Sequence, residues 1–207
     1  MKFVVTGGAG FIGRWSVKKF LDNEDKVIAF DNLANGSLNN IKQFMPNKQF
    51  EFIKGDILDK TAITKVFKTK IDLCLHLAAE VKVHESIYDP NKHFNVNVVG
   101  TQNILEFCRK NNTKLVLMST CMVYDTAINN AINEEHPIRP ASPYAGSKAA
   151  AEYLVLSYGA TYGLPTIILR PFNTYGPFQK SDMEGGVVNI FLKRKLAGLN
   201  LGVFGDG

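Results

Sequence analysis

No apolar run in the 207-residue sequence approaches the roughly 18 residues needed to cross a bilayer as a helix, and Met1-Lys2-Phe3-Val4 enters a strand pattern at once. No membrane-spanning helix is expected, and the cytoplasm is the simplest address. Cysteine is scarce. Cys74, Cys108 and Cys121 are odd in number and lie in or beside apolar segments, which argues against a disulfide framework and for reduced thiols. The histidines, His76 and His84 among them, have no partners at metal-ligand spacing, so no metal site is expected. Runs of one charge are missing too. The net charge of +5 is modest, and the densest basic cluster, Lys193-Arg194-Lys195, sits in an amphipathic segment. Nucleic acid is therefore not the expected partner, and an anionic small molecule suits the charge better. There are no repeats and no low-complexity segments.

What is present is an ordinary globular composition, 45% hydrophobic and 21% charged, enough for one large core or a core with a small annex. Short apolar runs, residues 2–6, 26–30, 49–54, 72–77, 114–119 and 166–170, read as strands. Helical patterns alternate with them at 11–21, 61–68, 91–111 and 143–162. Such alternation predicts an α/β fold, a doubly wound parallel sheet with helices on both faces. The uniformly apolar Leu73-Cys74-Leu75-His76-Leu77 and Lys114 to Ser119 runs suit strands covered on both sides. From Pro171 the pattern changes. Pro171, Pro177, Gly185 and Gly186 mark a loop-rich region, read as the start of a smaller substrate-binding lobe over 171–207 after a dinucleotide-binding domain over 1–170. The turn-rich end, Leu201 to Gly207, reads as a chain cut short.

Between the first strand and the first helix lies Thr6-Gly7-Gly8-Ala9-Gly10-Phe11-Ile12-Gly13. Glycines at such a junction permit a tight turn, a close approach of the backbone to a pyrophosphate and close helix–strand packing, while the helix N-terminus attracts the phosphates. A glycine-rich turn also occurs without any ligand. Asp31, which ends the second strand 18 positions after Gly13, has the spacing at which a carboxylate meets the adenosine ribose. A carboxylate there repels a 2′-phosphate and favours NAD over NADP. Asn32, Asn35 and Gly36 follow in a turn able to wrap the adenosine.

Ser142-Pro143-Tyr144-Ala145-Gly146-Ser147-Lys148 opens a helix with Ser142 as cap and proline in the first turn. Tyr144 and Lys148 are then one turn apart on one face. A neighbouring ammonium favours the phenolate and can make the tyrosine a base, as removal of a hydroxyl proton during hydride transfer requires. A surface pair is the alternative.

In this order, TGGAGFIG, Asp31, GDIL (Gly55 to Leu58), HLAAE (His76 to Glu80), NVVGT (Asn97 to Thr101), SPYAGSK and RPFNTYGP (Arg170 to Pro177) resemble the extended short-chain dehydrogenase/reductase family. More closely, they are similar to its NAD-dependent nucleotide-sugar epimerases and dehydratases. The resemblance implies that Gly7, Gly10, Phe11, Ile12 and Gly13 line the pyrophosphate, that Asp56 and Ile57 meet the adenine, and that Leu77, Ala78 and Ala79 pass beside the cofactor with Asn97 behind them. It further implies that Thr120 holds the reacting sugar hydroxyl, that Tyr144 is the base, that Lys148 serves both the nicotinamide ribose and the tyrosine, and that Asn173 meets the substrate diphosphate. Structural alternatives stay open: Asp56 as a turn cap, Asn97 at a helix end, Thr120 as a satisfied strand-end hydroxyl. Glu80, Lys82 and His84 are placed to face the sugar. The helices over 91–111 and 143–162 are the expected pairing surface of a homodimer, as in similar proteins.

In the family's 4,6-dehydratases the hydroxyl residue is followed by Asp and Glu, the acid and base of elimination. Here Cys121 and Met122 stand there. Methionine cannot exchange a proton, so the standard elimination is not expected, and neither is the decarboxylase pattern Thr-Ser-Glu. A C4 epimerase needs only Thr120, Tyr144, Lys148 and NAD, and is the leading expectation. Two alternatives remain: an altered, for example 5,6-, elimination with Cys121 as acid and Glu80 or another pocket residue as base, and an NAD-binding sensor without chemistry.

Overall fold

The computed structural model describes residues 1–127, 131–180 and 186–202. Six strands, β1 (Lys2–Thr6), β2 (Lys26–Asp31), β3 (Phe50–Lys54), β4 (Leu73–His76), β5 (Lys114–Met118) and β6 (Thr166–Leu169), form one sheet. All its pairs are parallel, in the order β3-β2-β1-β4-β5-β6. This is the order of the dinucleotide-binding Rossmann fold, whose direction of winding reverses between β1 and β4; ligands settle at the carboxyl ends of the strands there.

Strand periodicity divides the core. Val4, Ile28 and Cys74 point to one face and pack with Ile63, Ile104, Leu105 and Val155. Their chain neighbours Val5, Ala29 and Leu75 point to the other and pack with Val17, Ile41 and Phe44. Each fully buried aliphatic side chain contributes about 1.5–3 kcal/mol, so apolar character on both faces of each inner strand is what holds the helices in two layers.

The helices are α1 (Phe11–Asp22), α2 (Leu38–Ile41), α3 (Lys60–Val66), α4 (Val83–Tyr88), α5 (Pro90–Phe94), α6 (Thr101–Lys110), α7 (Pro143–Tyr162) and α8 (Val187–Leu196). The expected bounds of α7 are those observed: the Ser142 hydroxyl accepts from the Ala145 N–H at 3.1 Å, and Gly163 ends the helix at φ 64°. The single helix expected over 91–111 is instead α5, a π turn at Asn95–Gly100, and α6. The wide turn has one local correlate and one tertiary one. The Thr101 hydroxyl donates to the Asn97 carbonyl at 2.6 Å, and a Cβ on Gly100 would stand 2.4 Å from Cδ1 of Ile57.

The short helices α2 and α4 are not expected from the sequence, because four and six residues carry too little periodicity to register. Contacts divide the chain into Met1–Pro171 and Phe172–Gly207. The second unit contains α8, a helix in the region read as loop-rich, over the segment read as amphipathic. Gly185 and the stretch Val203–Gly207 lie outside the described residues.

Candidate active site

Gly7 adopts φ +69°, and a Cβ there would lie 2.8 Å from the backbone nitrogen of Ala78. At Gly13 a Cβ would stand 2.1 Å from the Gly7 carbonyl oxygen. The loop therefore closes on itself only with glycine at these positions. Gly10 caps α1 without a side chain, so the N–H groups of Phe11, Ile12 and Gly13 open toward the carboxyl edge of the sheet, as a phosphate requires.

A cleft open to solvent begins here. Of the residues read from sequence it is lined by Gly10, Asp31, Asn32, Asn35, Gly36, Asp56, Ile57, Ala78, Ala79 and Glu80. Gly55 of the GDIL motif and Phe30, Ala34 and Val96, which sequence reasoning does not single out, complete the wall. Leu77 packs in the core against the α1 side of the sheet.

Asp31 is buried. Its oxygens accept from the Ala9 N–H at 3.0 Å and the Leu33 N–H at 2.7 Å, so the carboxylate pins the glycine loop and keeps a second lone pair on each oxygen for a ribose hydroxyl. Burial pushes its pKa up, and these two N–H groups pull it back. The Asn32 amide donates to Asp56 at 2.9 Å, and Asp56 also caps its own turn through the Leu58 N–H at 2.9 Å.

Tyr144 and Lys148 occupy the first turns of α7, and both are buried. The Lys148 ammonium donates to the Met118 carbonyl at 2.6 Å, at the end of β5. Burial pulls its pKa down to about 8 against the opposing charge of Glu152. The expectation that this ammonium lowers the phenol of Tyr144 needs correction. Burial pushes the phenol above its ordinary value, and the effect that lowers it comes from the Thr120 hydroxyl. The lysine's hydrogen bond goes to a carbonyl and its own charge is disfavoured, so the protein's side chains alone do not prepare a phenolate.

Thr120 is buried at the tip of β5 and its hydroxyl accepts from the Met122 N–H at 3.2 Å, capping the short turn Cys121–Val123. Cys121 is half-buried against Val123, Tyr124 and Ala149, and burial pushes its thiol up. The thiol is thus protonated near neutral pH. Met122 is exposed.

Asn97 does not offer its amide to the cleft. Its Nδ2 donates to the Glu80 carbonyl at 3.0 Å and to the Ser147 hydroxyl at 2.9 Å, while Oδ1 accepts from the Glu80 N–H at 2.9 Å. Both amide protons are spent joining the loop after β4 to α7. The Glu80 side chain lines the dinucleotide cleft, 3.4 Å from the Asn35 amide and 3.5 Å from Lys92. Lys82 caps α4 and His84 is exposed. Asn173 is an exposed residue of the second unit.

Sequence reasoning also misses a bidentate pair. Arg170 holds the buried Glu152 of α7 at 2.6–3.1 Å and donates to the Tyr124 hydroxyl at 2.9 Å. The Arg-Pro of RPFNTYGP marks the segment, but nothing in its spacing marks Glu152 as the partner. Among the described residues, no group of three or more His, Cys, Asp or Glu side chains is placed to hold a metal ion.

Comparison with known proteins decides the family: residues 3–207 match the NAD dependent epimerase/dehydratase family. The chain belongs to that family. It is 38% identical over 99% of its length to a putative UDP-glucose 4-epimerase of Methanocaldococcus jannaschii, covering 66% of that protein. It is 34% identical over its whole length to a dTDP-glucose 4,6-dehydratase of Actinoplanes, again covering 66%. The crystal structure of Pal from Bacillus thuringiensis superposes with a TM-score of 0.95 at 52% identity, over 100% of this chain and 67% of that one. The chain spans about two thirds of the length of these relatives. NAD is the family's cofactor, and the open α1 N-terminus, the glycine cradle and the Asp31 carboxylate fit it. No described helix is long and apolar enough to cross a membrane.

Proposed function

We propose that this family member is a C4 epimerase of a nucleoside-diphosphate sugar, working in the cytoplasm through a transient 4-ketone. The observation that carries the reading is the tip of β5: Thr120 lies beside Tyr144, and the two residues after it, Cys121 and Met122, include no base. Bound NAD supplies a reversible hydride acceptor whose positive charge favours the phenolate. Tyr144 takes the proton of the C4 hydroxyl, and Thr120 orients that hydroxyl. Lys148, fixed on the Met118 carbonyl, stands one turn behind Tyr144, where it can hold the nicotinamide ribose. Once the ketone had turned to offer its opposite face to the reduced cofactor, Tyr144 would give the proton back. In this reading residues 171–207 begin the lobe that receives the sugar nucleotide, with Asn173 on its diphosphate.

One observation favours a second reading. Cys121 directly follows Thr120, where the family's dehydratases carry an acid, and a thiol can donate a proton, although burial raises its pKa and weakens it as an acid. An altered elimination would use it, with Glu80 as the expected base. The position of Glu80 on the Asn35 and Lys92 side speaks against that second part.

The test is product analysis with full-length protein and UDP-glucose, UDP-galactose and their N-acetyl forms. Interconversion of one pair at unchanged mass is expected. A product lighter by one water supports the elimination, and no conversion of any nucleotide sugar rejects both.

A further inference from the structure

One chain of buried hydrogen bonds runs from the floor of the glycine loop to the backbone of Tyr144. Thr6, the residue before Gly7, receives the Leu77 and Ala78 N–H groups on its hydroxyl oxygen at 3.1 and 3.2 Å. With its oxygen so occupied, its own proton goes to Nδ1 of His76, 2.7 Å away. Nδ1 is then an acceptor, so the proton of the neutral ring is on Nε2. It points at the Thr101 hydroxyl at 3.1 Å, whose proton is given to the Asn97 carbonyl at 2.6 Å. The Asn97 amide donates to Ser147 at 2.9 Å, and the Ser147 hydroxyl donates to the Tyr144 carbonyl at 2.7 Å.

Every side chain of this series is at least nine-tenths buried, and every proton has one destination. The opposite tautomer would leave the Thr6 proton without an acceptor and set two acceptors, His76 Nε2 and the Asn97 carbonyl, competing for the one proton of Thr101. Burial and the nearby Lys148 charge keep the ring neutral, which supports the same assignment. The segments joined are the glycine loop, the end of β4, the π turn and the first turn of α7, which carry the groups assigned above to cofactor and base. A buried network satisfied throughout is stiff, because breaking one link strands a polar group on either side.

We propose that His76, in its Nε2–H tautomer, is a positioning residue that sets the glycine loop and Tyr144 in fixed relation, with Thr101 and Ser147 as its relays. The part concerning Tyr144 rests on the proposed function; the part concerning the cofactor loop does not. The first measurement is ¹⁵N NMR of the histidine ring in the full-length protein. A neutral Nε2–H ring at pH 7 is expected, and an Nδ1–H ring or an imidazolium overturns the proposal. The second is Thr101→Val, nearly isosteric, and joined to the loop only through His76 and Thr6. NAD should bind about tenfold more weakly and the His76 ring signals should shift, with circular dichroism unchanged; unchanged NAD affinity overturns it. The third is Ser147→Ala, which should lower kcat about tenfold with KM within threefold, while Ser147→Thr, which restores the hydroxyl, recovers most of kcat. Unchanged kcat in Ser147→Ala overturns the relay to Tyr144. If wild-type protein turns over no nucleotide sugar, the function reading fails, and the NMR and NAD measurements still decide the network.

Discussion

Tyr144 and His76 are both buried beside Lys148, yet they answer different chemical demands. In the proposed reaction the phenol has to ionise, and burial opposes this, so the proposal relies on charge brought in with the cofactor. Tyr144→Phe should lower turnover by about 10³-fold and leave NAD bound, measured by product formation and by the NAD retained on gel filtration. Survival of a biological activity in that variant would favour the sensor alternative. His76 must stay neutral, and its pKa is pulled down to about 3 from the ordinary 6.5. The unfolded chain then binds a proton between pH 6.5 and 3 that the folded chain does not, so stability falls as pH falls through that window, by on the order of 5 kcal/mol at most. Thermal melts from pH 7 to 4 should show this loss, and His76→Gln should show a shallower one. The role proposed for His76 was not legible in the sequence. Its hydroxyl partners, Thr6 and Thr101, stand 70 positions before it and 25 after it, and only the pairing of β1 with β4 and the packing of α6 bring them together.

At the scale of the element, the glycine loop and α7 were legible from local chemistry, because caps, proline and glycine act on their own neighbours. Gly13→Ala places a Cβ against the Gly7 carbonyl, so α1 must move off β1. A loss of about 1–3 kcal/mol of stability is expected, with NAD affinity reduced by more than tenfold, measured by denaturant unfolding and by titration. The contact between β6 and α7 is of another kind. Glu152 is nearly fully buried and paired to Arg170, so Glu152→Ala leaves a largely buried guanidinium without a counter-charge, held only by Tyr124, and should cost about 3–5 kcal/mol. Urea unfolding reads the loss, and Glu152→Gln, which keeps a hydrogen bond, should lose less. The π turn between α5 and α6 was read as plain helix because its cause, the side-chain demands of Asn97 and the packing of Gly100 on Ile57, is tertiary.

For the whole molecule, α7 presents Tyr153, Leu156 and Tyr162 to solvent, each more than half exposed, and Phe94 at the end of α5 is similarly bare. Large apolar groups spaced along one long helix suit a partner, and the homodimer proposed from the family resemblance uses the same helices. Sedimentation of the full-length protein should give a dimer, and Leu156→Glu should give a monomer with the same circular dichroism. A monomeric wild type would remove this proposal without touching the site.

Alternating apolar runs and helical patterns determined the parallel sheet, the place of the dinucleotide loop and the Tyr144–Lys148 spacing, since each of these depends on residues close together along the chain. Which way the phenol's pKa moves, where the amide of Asn97 is spent, which cleft wall Glu80 joins and which nitrogen of His76 holds the proton were decided by the tertiary structure alone. Those properties are set by burial and by partners from distant segments, and neither exists until the sheet has assembled.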